Sequence, residues 1–157
     1  DNDRILLIEG ARQIGKSFII RETGKRIYPH FIEVNFVEDD EGPALFRSVH
    51  TAEEFYFTLS SIAGSEMHNY EDTLIFLDEI QHYPQYLTLL KFLRQDHRYR
   101  FIASGSLLGI TLRKTLSVPV GSVIRKRMYQ LDFEEWLIAN GFGEAALAHL
   151  KEAYDKR

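Results

Sequence analysis

The stretch Leu6-Leu7-Ile8-Glu9-Gly10-Ala11-Arg12-Gln13-Ile14-Gly15-Lys16-Ser17 constrains this chain more than any other. Its apolar part reads as a buried strand, its glycine-bounded middle as a tight loop, and Lys16-Ser17 as the start of a helix. This is the phosphate-binding loop pattern G-x-x-x-x-G-K-[ST] in the strand–loop–helix context it requires. Gly10 and Gly15 can take positive φ, so the backbone can close around an anion. The amides of residues 13 to 17 then point inward at the positive end of the helix dipole. Gly10, Ala11, Arg12, Gln13, Ile14, Gly15, Lys16 and Ser17 are the expected cradle. Lys16 brings charge to the β- and γ-phosphates, and Ser17 offers a hydroxyl to Mg2+, which takes oxygen ligands. The bland alternative makes Lys16 and Ser17 ordinary first-turn residues. The apolar runs Ile5–Ile8 and Phe18–Ile20 on either side count against it.

A second acidic site supports the first. Thr73-Leu74-Ile75-Phe76-Leu77-Asp78-Glu79 is an apolar run ending in two carboxylates. Its length and its β-branched and aromatic content fit a strand buried on both faces of a parallel sheet. Unpaired carboxylates are costly to bury, so they belong where the strand emerges, and in open parallel sheets the ligand crevice lies at that end. The arrangement matches the second nucleotide motif of P-loop ATPases. Asp78 is expected to hold Mg2+, directly or through water, and Glu79 to orient and deprotonate an attacking water. An Asp-Glu pair favours hydrolysis of the γ-phosphate over transfer to a small molecule. A P-loop kinase stays a lesser alternative, since no acceptor site is visible.

These blocks continue in order with Leu77-Asp78-Glu79-Ile80-Gln81, Ser104-Gly105-Ser106 and Met128-Tyr129-Gln130-Leu131-Asp132-Phe133-Glu134-Glu135-Trp136-Leu137. Together they resemble the AAA-superfamily P-loop ATPases of bacteria and archaea that usually carry a second domain of unknown function after the ATPase core. The resemblance covers nearly the whole chain. It implies ATP binding and hydrolysis with Mg2+. It also implies a three-layer α/β sandwich: a five-stranded, mainly parallel sheet in the order 5-1-4-3-2 with helices on both faces. In similar proteins a polar residue at the end of the strand Arg100–Ser104 senses the γ-phosphate; Ser104 fits that place and Ser106 is the runner-up. A plain Ser-Gly-Ser turn would look the same. One departure stands out. Relatives often carry Gly-Arg shortly before the Tyr-Leu-Phe-Glu block, where this chain has Gly121-Ser122. That leaves any arginine finger unassigned; Arg113 and Arg125 lie nearby, and spacing selects neither. Hydrolysis would then be slow or draw on an Arg from a second copy or another domain, so a homo-oligomer is an open expectation. A nucleotide-gated binding module with little turnover is the main alternative function.

The length of 157 residues suits one domain with a real core. Net charge of −4 gives no electrostatic argument for nucleic acid, which needs a basic face. Arg98, Arg100 and the run Arg125-Lys126-Arg127 read as solvated edges. No protein or DNA partner is named by the sequence. The absence of cysteine excludes disulfides, Cys-ligated zinc and thiol catalysis, and fits the cytoplasm. No apolar stretch is long enough to span a bilayer. The chain enters a core strand almost at once and ends on a helix. A fragment of a longer protein is therefore expected: a single ATPase-type domain over 1–157, with a core to about 131 and a helical extension over 132–157.

Strands are predicted at Arg4–Glu9, Phe31–Asn35, Thr73–Asp78, Arg100–Ser104 and Val123–Gln130. Helices between them argue for an α/β parallel sheet. The helix after the loop is predicted from Gly15 to about Lys25. Thr51-Ala52-Glu53-Glu54 has capping-box form and opens a helix to about Ala63, ended near Gly64. Pro84 suits the start of a helix through Leu93. Asp132-Phe133-Glu134-Glu135 caps another, closed by Gly141, and a last helix from about Gly143 is predicted to bury Leu147 and Leu150. Segments 36–50 and 64–72 read as loops. Asp132, Glu134 and Glu135 read as first-turn acids complementing the helix dipole rather than as a catalytic cluster. His82 lacks a second ligand at metal spacing.

Overall fold

The computed structural model describes residues 4–106 and 121–155. Arg113, one of the arginines considered above, lies outside them. Five strands form one sheet: β1 (Ile5–Glu9), β2 (His30–Asn35), β3 (Thr73–Asp78), β4 (Arg100–Gly105) and β5 (Val123–Arg127). Their order is β2-β3-β4-β1-β5 and every pairing is parallel. This is the expected 5-1-4-3-2 order, all parallel where mainly parallel was expected. Six α-helices accompany the strands among the described residues: α1 (Lys16–Ile27), α2 (Phe36–Glu41), α3 (Ala52–Ala63), α4 (Gln85–Asp96), α5 (Phe133–Ala139) and α6 (Glu144–Asp155).

The two faces of the sheet are covered differently. Ile5 and Leu7 of β1, Ile32 and Val34 of β2, Ile75 and Leu77 of β3, and Phe101 and Ala103 of β4 share one face by strand alternation. They form one buried cluster with Phe55 and Leu59 of α3 and Tyr86, Leu90 and Leu93 of α4. The opposite face carries α1, whose Gly24 lies against Phe31 and Leu74. A cleft of about 410 Å³ runs beside α1 on that face, lined by residues such as Ile8, Ile20, Leu74 and Ile102. None of Gly10–Ser17, Asp78 or Glu79 lines it.

An aromatic cluster fixes the carboxyl end of β2 and the turn after β3. Phe36 is fully buried and stacks at a tilt on Tyr86 (4.3 Å) and Tyr83 (5.2 Å). The Tyr86 hydroxyl donates to the Phe46 carbonyl (3.1 Å), and the Tyr83 hydroxyl to Asp39 (2.9 Å). Burial pushes both phenols above their ordinary range. Rings of this size, satisfied at their polar tips, hold short connections that have few backbone bonds of their own.

Several boundaries differ from expectation. Residues 36–41 form α2 rather than loop, because Asn35 accepts from the amides of Val37 (3.1 Å) and Glu38 (3.4 Å) and Phe36 anchors the turn. Gly64–Glu66 is a 3-10 turn, as is Ile80–His82. β5 stops at Arg127, three residues early, because it pairs with β1 and β1 ends at Glu9; Met128 adds one last amide bond to Glu9 (2.8 Å). Only Leu147 of the predicted pair on α6 is buried, while Leu150 is 43% exposed. Lys151, on the Leu147 side of that helix, ion-pairs with Glu134 of α5 (2.7 Å), which leaves Leu150 on the flank. Among the described residues no helix is long and apolar enough to cross a membrane.

Candidate functional site

The loop between β1 and α1 is shaped by its glycines. A side chain at Gly10 would lie 2.4 Å from the Met128 carbonyl oxygen and 2.6 Å from Ile14 Cδ1, so the chain after β5 closes over the loop's first residue. Gly15 takes φ 94° and Gln13 takes φ 63°, a left-handed conformation that a non-glycine residue adopts at a cost of about 1–2 kcal/mol. Such strain persists where the surroundings impose it, and it clusters at binding sites.

α1 differs at its start from α2, α3 and α5, while α4, which opens after Pro84, likewise lacks a side-chain cap and a first-turn acid. Asn35, Thr51 and Asp132 each cap their helix with a side-chain oxygen, and the last two complete capping boxes. α1 has no side-chain cap and no acid in its first turn. Its first amides and dipole are left for an anion. Lys16 is 4% exposed, and its ammonium donates to the carbonyls of Ala11 (2.7 Å) and Gly10 (3.2 Å). Ser17 is half-buried beside it, Ile14 is half-buried, and Ala11, Arg12 and Gln13 are exposed on the loop.

The acidic pair sits at the end of β3, with β4 lying between it and β1. Asp78 is 2% exposed. Its Oδ1 accepts from the Ser104 hydroxyl and from the Glu79 amide (3.0 Å). Its Oδ2 lies 3.8 Å from the Arg21 guanidinium, too far for a good hydrogen bond. Arg21 is held in turn by Glu33 of β2 through bonds of 2.5 to 3.0 Å. The Glu33 hydrogen bond pushes the Arg21 pKa up, against the effect of burial, and the charge of Asp78 adds to it. Asp78 therefore keeps lone pairs for a cation while its charge is partly balanced. Among the described residues no group of three or more His, Cys, Asp and Glu could hold a metal by itself. A hard cation that keeps several waters and takes phosphate oxygens needs only donors like Ser17 and Asp78, so the residues fit Mg2+.

Glu79 follows in left-handed backbone, φ 55°. Its Oε2 accepts from the Gln81 amide and from the Ser106 hydroxyl (3.2 Å). The loop and this cluster share a strand end, since the Gly10 amide donates to the Gly105 carbonyl (3.3 Å). Ser104, on the same strand, is fully buried with its hydroxyl committed to Asp78.

Other candidates are occupied elsewhere. Arg125 on β5 pairs with Glu9 (2.8 Å). His82 meets Asp40 (2.8 Å). Asp132 and Glu135 form the capping box of α5 and Glu134 meets Lys151. Arg21, Glu33 and the contact made by Gln81 escaped the sequence reading. Arg21 lies one helical turn beyond Ser17, a spacing that places both on one face, and that was the available signal.

The model of the AAA domain family matches residues 2–137. No curated protein matches the chain. With the loop at the carboxyl end of β1, the Asp-Glu pair at the end of β3 and β4 between them, the chain belongs to the AAA domain family, and it is a nucleotide-binding domain of P-loop NTPase type.

Proposed function

We propose that this domain hydrolyses ATP with Mg2+. The observation that carries the reading is the pairing of an uncapped, acid-free helix start at Lys16 with a buried Asp78 and a Glu79 at the end of β3, one strand removed across β4. The cradle Gly10–Ser17 holds the phosphates through its amides, and Lys16 exchanges its loop carbonyls for phosphate oxygens. Ser17 and Asp78 hold the Mg2+, which when bound neutralises charge on the phosphate oxygens. Ser104 fixes Asp78 for that task. Glu79 accepts a proton from the water that attacks the γ-phosphorus, and ADP and phosphate leave. The protein contributes positioning and electrostatics rather than covalent chemistry.

The test compares phosphate release by the purified full-length protein and its Glu79→Gln variant. Loss of a general base is expected to slow turnover by about 100-fold or more while nucleotide stays bound. An unchanged rate would remove Glu79 from the role. The second reading, a nucleotide-gated binding module with little turnover, draws on Gly121-Ser122 and on the engagement of Arg125 by Glu9. It predicts nucleotide binding with almost no hydrolysis in a single turnover.

A further inference from the structure

Deepening the hydrolytic reading and resting on it, we propose that Gln81 is a positioning residue for Glu79, acting together with Ser106. Glu79 leaves β3 in left-handed backbone, so its side chain is not aimed by the strand. The buried Ile80 anchors the turn that follows. The direction of the carboxylate is set by what it bonds to.

Those bonds form a closed ring. The Gln81 amide nitrogen donates to Glu79 Oε2 and to the Ser106 hydroxyl (3.1 Å). The Ser106 hydroxyl donates to the same Oε2 (3.2 Å). The Ser106 backbone amide donates back to Gln81 Oε1 (3.0 Å). Ser106 is 2% exposed, so its amide needs that acceptor. This fixes the orientation of the Gln81 side chain. Flipping it would set its oxygen against the Glu79 carboxylate and its NH2 against the Ser106 N–H, losing both pairings. Only a carboxamide supplies an acceptor and donors in this geometry; glutamate would oppose two carboxylates.

Oε2 accepts both side-chain bonds, and among the described residues Oε1 accepts none, so Oε1 is the oxygen left to take a proton from water. The ring also reaches the phosphate cradle. Ser106 follows Gly105, whose carbonyl accepts from the Gly10 amide (3.3 Å). The base is thus oriented from the strand end that abuts the loop, and its aim depends on β4 as well as on β3.

The experiment uses the purified full-length protein with Mg·ATP as the probe. It measures kcat, KM and the affinity for a fluorescent ATP analogue in the parent, Gln81→Ala and Gln81→Glu. The same Gln81→Ala change is made in a Glu79→Gln background, and thermal unfolding is recorded throughout. Mis-aiming the base is expected to lower kcat by about 10- to 100-fold in both single variants. Nucleotide affinity stays at the parental value, and the unfolding midpoint of Gln81→Ala falls by only about 2–8 °C, the cost of the acceptor lost to the buried Ser106 amide. In the Glu79→Gln background Gln81→Ala changes the residual single-turnover rate by less than about twofold, because a residue acting only through Glu79 has nothing left to position. A parental kcat in Gln81→Ala overturns the inference alone, as does an undiminished effect in the Glu79→Gln background. A parent without turnover, or a Glu79→Gln variant at the parental rate, overturns the hydrolytic reading and this inference with it.

Discussion

The Lys16 ammonium donates to the Ala11 carbonyl at 2.7 Å, so the charge that opens α1 closes its own loop. The side chain is almost fully buried and held by neutral acceptors, with no carboxylate contact among the described residues. A cation held this way is poised to exchange weak partners for phosphate oxygens. Lys16→Ala is expected to weaken ATP-analogue binding by about 10- to 100-fold, the scale of a lost charge-assisted hydrogen bond. A fluorescence titration checks it, and unchanged affinity would place the phosphates elsewhere.

Gly10 is tight for a different reason. The atom nearest an added Cβ is the Met128 carbonyl oxygen at 2.4 Å, and backbone cannot swing aside. Gly10→Ala should therefore separate the loop from the chain after β5, costing about 1–3 kcal/mol and weakening nucleotide binding as well. Denaturant unfolding with and without nucleotide measures both. A variant as stable as the parent would contradict the contact.

Ser104 acts on Asp78. Its hydroxyl is one of two donors to Oδ1 of a carboxylate that is 2% exposed. Ser104→Ala should leave ATP affinity close to parental and raise the Mg2+ concentration for half-maximal turnover by about tenfold, as loss of an outer partner does to a metal ligand. An Mg2+ titration at saturating ATP reads this out. An unaltered midpoint would show that Asp78 does not depend on Ser104.

Far from the site, the Tyr56 hydroxyl is buried with no hydrogen-bond partner among the described residues. Burial raises its pKa above the ordinary 10.0, and the nearby Asp96 adds to the shift. Tyr86 is raised in the same direction, chiefly by burial. A folded-state pKa above the unfolded one contributes stability that is present below pH 10 and lost as pH rises past it. Alkaline unfolding is expected to begin there. Tyr56→Phe should be neutral or stabilising by up to about 1 kcal/mol at pH 7 and should flatten the alkaline loss. A clear destabilisation at pH 7 would reveal a partner for the hydroxyl.

What the sequence disclosed depended on how local each cause is. Thr73–Asp78 was legible to the residue because it is buried on both faces, so no periodicity had to be resolved. The capping boxes at Thr51 and Asp132 were legible because a side chain and an amide three residues on need no third party. β5 was overextended because the end of an edge strand is set by its neighbour, here β1. α2 was missed because one buried residue, Phe36, carries no period and the Asn35 cap precedes no apolar run. At the site, the loop, Asp78 and Glu79 announce themselves by type and spacing. Arg21 and Glu33 meet only once α1 lies across β2, and Gln81 meets Ser106 only once β4 lies beside β3. The serine that meets Glu79 is Ser106, while Ser104 meets Asp78; the register of β4 against β3, with Leu77 opposite Ala103, decides that, and a Ser-Gly-Ser string does not.

The most direct measurement is a crystal structure of the full-length protein with Mn2+ and a non-hydrolysable ATP analogue, using anomalous scattering to locate the metal. We predict one metal peak between the Ser17 hydroxyl and Asp78, with the γ-phosphate at Lys16 Nζ and the Gly10–Ser17 amides around the phosphate tail. A nucleotide bound outside the loop, or a metal peak away from Asp78, would contradict the account.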